Sequence, residues 1–145
     1  AVADTLYPDR VVVGTDDERA LALLTELYLP ILEQSFTPPP YLARPEGLDR
    51  VPLVKVDPIT AELIKYAANA FLATKISFIN EIANICDLVG ANVKDLALGI
   101  GLDKRIGRAF LNAGIGWGGS CFPKDLTALI REAEIYGYNS QLFGN

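Results

Sequence analysis

Asp57-PITAELIKYAANAFLATKISFINEIANICDLV-Gly90 decides how this chain folds, because no glycine or proline interrupts it from Ile59 to Val89. Asp57 is a helix N-cap, and Pro58 suits the first helical position, where its missing N–H costs nothing. At 1.5 Å per residue the run makes one helix of about 46 Å, which Gly90 and Asn92 end. On a helical wheel Phe71, Phe78, Ile82, Ile85 and Val89 form one stripe, and Leu72, Ile76, Ile79 and Cys86 a second beside it. So wide an apolar arc needs covering along its length. A second copy of the chain would cover it, giving a homodimer through the long helix; so would residues 93–145 packed as an ordinary core. Lys65 and Asn69, four apart, share a face near the helix start, with Asn80 close to the same line further on. Residues of these types are usually solvated surface; the alternative is a set of donors aimed at a developing oxyanion. Cys86 reads as packing.

Upstream, Val11-Val-Val-Gly14 is a short buried strand, and Val51–Val56 is the one other good strand candidate. Between them Thr15 or Asp16 caps a helix carrying Ala20, Leu23, Leu24 and Leu27 at helical spacing, which Pro30 should end or kink. Ala1–Tyr7 has no capping signal. Ser35–Arg50, with Pro38-Pro39-Pro40, Pro45 and Gly47, is an extended connection. Two strands alone make a marginal sheet, so residues 1–56 read as the edge of a sheet whose other strands lie outside this sequence.

Downstream, Val93–Leu98 predicts a short helix ended by Gly99-Ile-Gly101. Lys104, Arg105 and Arg108 then stand close together, as a solvated charged turn or a phosphate contact. The most chemically suggestive run is Gly114-Ile-Gly-Trp-Gly-Gly-Ser-Cys-Phe-Pro-Lys-Asp125. Its glycines allow close backbone approach to a ligand. Pro123 and the apolar spacing of Leu126, Leu129, Ile130, Ala133 and Tyr136 predict a helix that starts just after Cys121. A helix N-terminus and the adjacent Lys124 favour a thiolate, so Cys121 is a candidate nucleophile; a small packed apolar residue is the alternative. Gly114, Gly116 and Gly119 also spell G-x-G-x-x-G, and Glu134 stands about twenty residues on. That fingerprint must follow a buried strand, whereas Arg105–Asn112 is charged and not strand-like, so a dinucleotide cradle is rejected here.

The chain has 145 residues, half of them hydrophobic, and a net charge of −5. It can bury a core, as one domain or parts of two. Its acidity argues against nucleic-acid or anionic-membrane binding. No apolar stretch is long enough to span a bilayer, so a soluble, cytoplasmic protein is expected. Two cysteines make no disulfide framework, and histidine is absent, which leaves acid–base work to Lys, Asp, Glu or water. No residue set is assigned to a metal.

Several of these stretches resemble the UDP-glucose/GDP-mannose dehydrogenase family: Pro8-Asp-Arg-Val-Val-Val-Gly14, Ala61-Glu-Leu-Ile-Lys-Tyr-Ala-Ala-Asn69, Phe78-Ile-Asn-Glu81, Asp103-Lys-Arg-Ile-Gly107, Phe110–Gly114 and Gly116–Asp125. The Phe-Pro-Lys-Asp ending looks more like its UDP-glucose-oxidising members, with GDP-mannose as the alternative substrate. The resemblance covers only the middle of such an enzyme. It implies a mainly α fold: a long helix, 58–89, opening a helical dimerisation domain, 57–145, with a short α/β remnant of the nucleotide-binding domain in 1–56. It implies an NAD-dependent oxidation of UDP-glucose to UDP-glucuronate through a cysteine thiohemiacetal and thioester, in a homodimer. Cys121 matches the nucleophile. Lys65 and Asn69 match residues that stabilise the oxyanion and contact substrate, and Asp125 the acid that assists water. Phe110, Leu111, Asn112, Ala113, Gly114 and Gly118 match the loop that cradles the nucleotide-sugar. Arg105 matches a contact to the neighbouring subunit's substrate, and Lys124 a contact to NAD. The family's catalytic glutamate would precede Ala1, so this chain alone is expected to be inactive. A helical dimerisation or nucleotide-sugar-binding module without redox chemistry is the other class of reading.

Overall fold

The computed structural model describes residues 2–116, 118–119 and 121–142, so Trp117 and Ser120 of the glycine-rich run lie outside the described residues. It is mostly helical, with two short strands and two compact units, residues 1–64 and 65–145.

In the first unit a short helix α1 (Val2–Leu6) precedes strand β1 (Val11–Gly14), helix α2 (Glu18–Leu32) and strand β2 (Leu53–Val56). β1 and β2 pair in parallel, with Val11 opposite Leu53 and Gly14 opposite Val56; the helix between them makes this a β-α-β unit. Val13, Leu32 and Val51 are buried. The N-cap of α2 is Asp17, not Thr15 or Asp16: its side chain accepts from the N–H groups of Arg19 and Ala20. Thr15 Oγ1 instead accepts from Asp17 N–H, and the cap falls one residue after Asp16. Pro30 lies inside α2, which continues to Leu32. A proline sacrifices one bond to the preceding turn, and the helix ends two residues on, after which Ser35 N–H bonds Pro30 O. Leu23 and Leu27 on α2 remain 58 % and 70 % exposed. Gly14 is required by close approach: a Cβ there would lie 2.5 Å from Ala61 Cβ and 3.0 Å from Pro58 Cα.

The long helix α3 runs Pro58–Val89. Asp57 caps it as expected, accepting from Thr60 N–H at 2.9 Å and Thr60 Oγ1 at 2.6 Å. These bonds, the side-chain one foremost, lower its pKa. Gly90, at φ +73°, terminates the helix. Asn92 belongs to the next element: it caps α4 (Val93–Gly101) by accepting from Lys94 and Asp95 N–H. α4 therefore runs through Gly99 rather than stopping at it. Of the two α3 stripes, the second turns inward, with Ile79 and Cys86 buried, together with Ala70 and Ala73. The first stays largely open: Phe71 is 64 %, Phe78 49 %, Ile85 47 % and Val89 71 % exposed. Ile79, Ala97 and Leu111 form the core of the second unit, ringed by Ile82, Val93, Leu96 and Ile100. The last helix, α5 (Phe122–Ile135), starts immediately after Cys121 and ends on Gly137 at φ +77°. There Tyr138 N–H bonds Ala133 O and Gly137 N–H bonds Glu134 O, the paired bonds of a Schellman stop.

Candidate active site

Asp125 is the hub of the site. It stands one turn into α5, where its N–H bonds Cys121 O, and it is 1 % exposed. Its Oδ2 accepts from Lys65 Nζ at 2.6 Å and from Asn69 Nδ2 at 2.7 Å. The i, i+4 spacing on α3 is what lets Lys65 and Asn69 converge on a single oxygen. Lys124 Nζ lies 3.3 Å from the other oxygen, Oδ1, in ion-pair range; it is not aligned as a hydrogen bond, and Oδ1 is buried with no hydrogen-bond partner among the described residues. The Lys65 hydrogen bond, opposed by burial and helped by Asn69 and Lys124, lowers the Asp125 pKa from 3.8 to about 2. The same bond raises the Lys65 pKa, and the charge that Cys121 carries when ionised adds a minor upward contribution. Cys121 occupies the N-cap of α5 with φ −88° and ψ −54°, and it is exposed.

Cys121, Lys65, Asn69 and Asp125 are thus brought together by two helices. Lys124 sits at the margin of the group, 71 % exposed. The 110–114 segment follows a different plan. Leu111 is 1 % exposed and belongs to the core, so its side chain anchors the segment. Phe110 adopts φ +64° and stacks edge-on to Phe122 at 6.3 Å between centroids, linking the segment to the residue after Cys121. Asn112, Ala113, Gly114 and Gly118 are exposed. Arg105 is held outward by Asp103, Nη2 to Oδ2 at 2.6 Å, and no described contact brings it to Asp125. Arg108 donates to Leu111 O at 3.2 Å, so two of the three clustered cations are engaged inside the chain.

Sequence reading missed two contacts of α3. Lys75 Nζ donates to Ile106 O and Gly107 O at 3.0 and 3.4 Å. Asn80 Oδ1 accepts from Gly114 N–H at 2.8 Å, so Asn80 does not join Lys65 and Asn69 at Asp125. Its place on their line of α3 was a visible signal; its backbone partner, 34 residues away in sequence, was not. Residues 102–113, immediately before the G-x-G-x-x-G letters, form no strand, so the strand context that the dinucleotide fingerprint requires is not met there.

The class of protein is one with a long helix preceded by a β-α-β edge, and with a cysteine at a helix N-terminus one turn before the aspartate of a Lys–Asn–Asp cluster. The family model for the UDP-glucose/GDP-mannose dehydrogenase family, central domain, matches residues 59–145, and the chain belongs to that family. It is 52 % identical over 136 residues to the UDP-glucose 6-dehydrogenase of Rickettsia typhi, covering 94 % of this chain and 28 % of that protein. It is 50 % identical over 142 residues to UDP-glucose 6-dehydrogenase TuaD of Bacillus subtilis, covering 98 % and 27 %. Among solved structures, a UDP-glucose dehydrogenase from the archaeon Pyrobaculum islandicum superposes with TM-score 0.83 at 39 % identity, over 99 % of this chain and 29 % of that one. A GDP-mannose dehydrogenase from Pseudomonas aeruginosa gives TM-score 0.57 at 29 % identity, over the same shares. The chain spans little more than a quarter of the length of the curated relatives it matches.

Proposed function

We propose that this chain is the central part of an NAD-dependent dehydrogenase that oxidises UDP-glucose to UDP-glucuronate, with Cys121 as the covalent nucleophile. The observation that carries the reading is the convergence of Lys65 and Asn69 on one buried carboxylate oxygen of Asp125, a turn after Cys121. The likeness to UDP-glucose dehydrogenases, higher in both identity and fold than that to a GDP-mannose dehydrogenase, supports the choice of sugar.

Proton counting gives each group a task. An ammonium has three N–H donors and a carboxamide two. Lys65 and Asn69 each spend one on Asp125, so Lys65 keeps two and Asn69 one for an oxygen of the substrate. Cys121 Sγ adds to the aldehyde carbon of the half-oxidised sugar, and the thiohemiacetal oxygen takes hydrogen bonds from Lys65 and Asn69. After the second oxidation the thioester carbonyl sits against the same donors, and water attacks it to release the carboxylate and the thiol. Asp125 holds both donors in place, and the family resemblance gives it the further task of assisting the attacking water. The family implies NAD, and an exposed Lys124 ammonium beside the cluster suits an anionic cofactor. Two NAD molecules, bound in turn, would take up the two hydrides of this four-electron oxidation, one each. The open stripe of Phe71, Phe78, Ile85 and Val89 on α3 supports a homodimer through the long helix.

The test is NADH production from UDP-glucose by the intact protein and by its Cys121→Ser variant. Turnover by the former and its loss in the latter are expected. Normal NADH production by the variant would remove Cys121 from the role of nucleophile.

A further inference from the structure

We propose that Asn80 is a positioning residue for the nucleotide-sugar, acting through the backbone of the 110–114 segment; this rests on the dehydrogenase reading above. Three neighbouring positions on α3 hold the segment. Lys75 ties the carbonyls of Ile106 and Gly107, Ile79 packs with Leu111 in the core, and Asn80 accepts from Gly114 N–H. The first two fix where the segment starts and how deep it sits. Arg108 holds the Leu111 carbonyl, and among the described contacts Asn80 is what fixes the Ala113–Gly114 peptide plane in the exposed half.

That orientation has a chemical consequence. The described residues contain no cis peptide bond, and across a trans peptide the N–H and the preceding C=O point in opposite directions. Holding Gly114 N–H on Asn80 therefore turns the Ala113 carbonyl away from α3. Ala113 and Gly114 are both exposed, so this carbonyl is an outward-facing acceptor, suited to a hydroxyl or imide N–H of the ligand. Without Asn80 the peptide is free to rotate, and the acceptor must be ordered at the moment of binding. Asn80 also stands eleven residues after Asn69. That is three helical turns, so both lie on one line of α3, about 16 Å apart. A ligand with its reacting carbon at one end and a nucleotide at the other is served by Asn69 at the first and Asn80 at the second.

A group so far from Cys121 acts on substrate and transition state alike, which moves KM and leaves kcat. The experiment compares the intact protein with Asn80→Ala and Asn80→Asp. For Asn80→Ala the KM for UDP-glucose should rise about three- to tenfold, the range of one neutral hydrogen bond, with kcat and the KM for NAD within about twofold of wild type. Asn80→Asp keeps an oxygen that accepts from Gly114 N–H, so its KM should stay near wild type. This variant keeps the test decisive even if Asn80→Ala does not fold. A wild-type KM for UDP-glucose in Asn80→Ala, or an Asn80→Asp as impaired as the alanine variant, overturns this inference alone. A wild-type protein that neither binds nor oxidises UDP-glucose overturns the dehydrogenase reading and this inference with it.

Discussion

Ile79→Ala tests whether the site is built on one packed core. Ile79 is fully buried, at 0 % exposure, and meets Ala97 and Leu111, at 2 % and 1 %. The substitution removes three carbons, about 2.4 kcal/mol of transfer free energy at ~0.8 kcal/mol each. A cavity contribution adds to this, because α3 and α4 hold their backbones fixed and Ala97 is too small to fill the gap. The expected loss is about 3 kcal/mol, inside the range of about 2–5 kcal/mol for such truncations. Ile79→Val, which removes one carbon, should cost about 1 kcal/mol. Native-state hydrogen exchange reads this locally. At 1.36 kcal/mol per factor of ten, the slowest amides of residues 65–145 should lose about two decades of protection in Ile79→Ala and less than one in Ile79→Val. A loss below tenfold in the alanine variant, or equal losses in both, would refute a core centred on Ile79. Because Leu111 shares that core and opens the exposed 112–114 stretch, loosening there reaches the ligand side.

Acid should weaken the site at Asp125. Its folded pKa is depressed, from 3.8 to about 2, so its contribution to stability is fully present above about pH 4 and is lost as pH falls toward 2. The gap in melting temperature between wild type and Asp125→Asn should therefore shrink over that interval; a gap constant from pH 5 to pH 2 would contradict the pairing. The Lys65 pKa is raised by the same bond, so its contribution persists through neutral pH and fades only as alkali passes its raised value. In sedimentation at micromolar concentration the intact protein should show at least twice the protomer mass. Phe71→Glu, which places a charge on a side chain 64 % exposed within the open stripe, should move it toward the protomer. A wild-type protein of protomer mass would count against the homodimer.

The helices could be read in advance because their signals are local. Asp57-Pro58 and the uninterrupted run to Val89 specify α3, and Pro123 with the spacing of Leu126, Leu129 and Ile130 specifies α5, since caps and 3.6-residue periodicity act within a few residues. Where local signals compete, reading failed by small amounts. Thr15, Asp16 and Asp17 are all plausible caps, and only the one whose oxygen meets the N–H groups of Arg19 and Ala20 is used. Asn92 stops one helix in prospect and starts another in fact.

The sequence by itself determined the elements from β1 onward, though not the short helix α1, together with the i, i+4 pair of Lys65 and Asn69 and the place of Cys121 before a helix N-terminus. Tertiary structure alone decided that this pair meets Asp125, 60 and 56 residues further along the chain. It also decided that Leu111 turns inward, and that Asn80 serves the backbone of Gly114 rather than the Asp125 cluster. Periodicity records which face of a helix is apolar but carries no record of what lies opposite that face. The partner of a polar group is chosen by how separate elements pack, and packing depends on shape and distance between residues far apart in the chain.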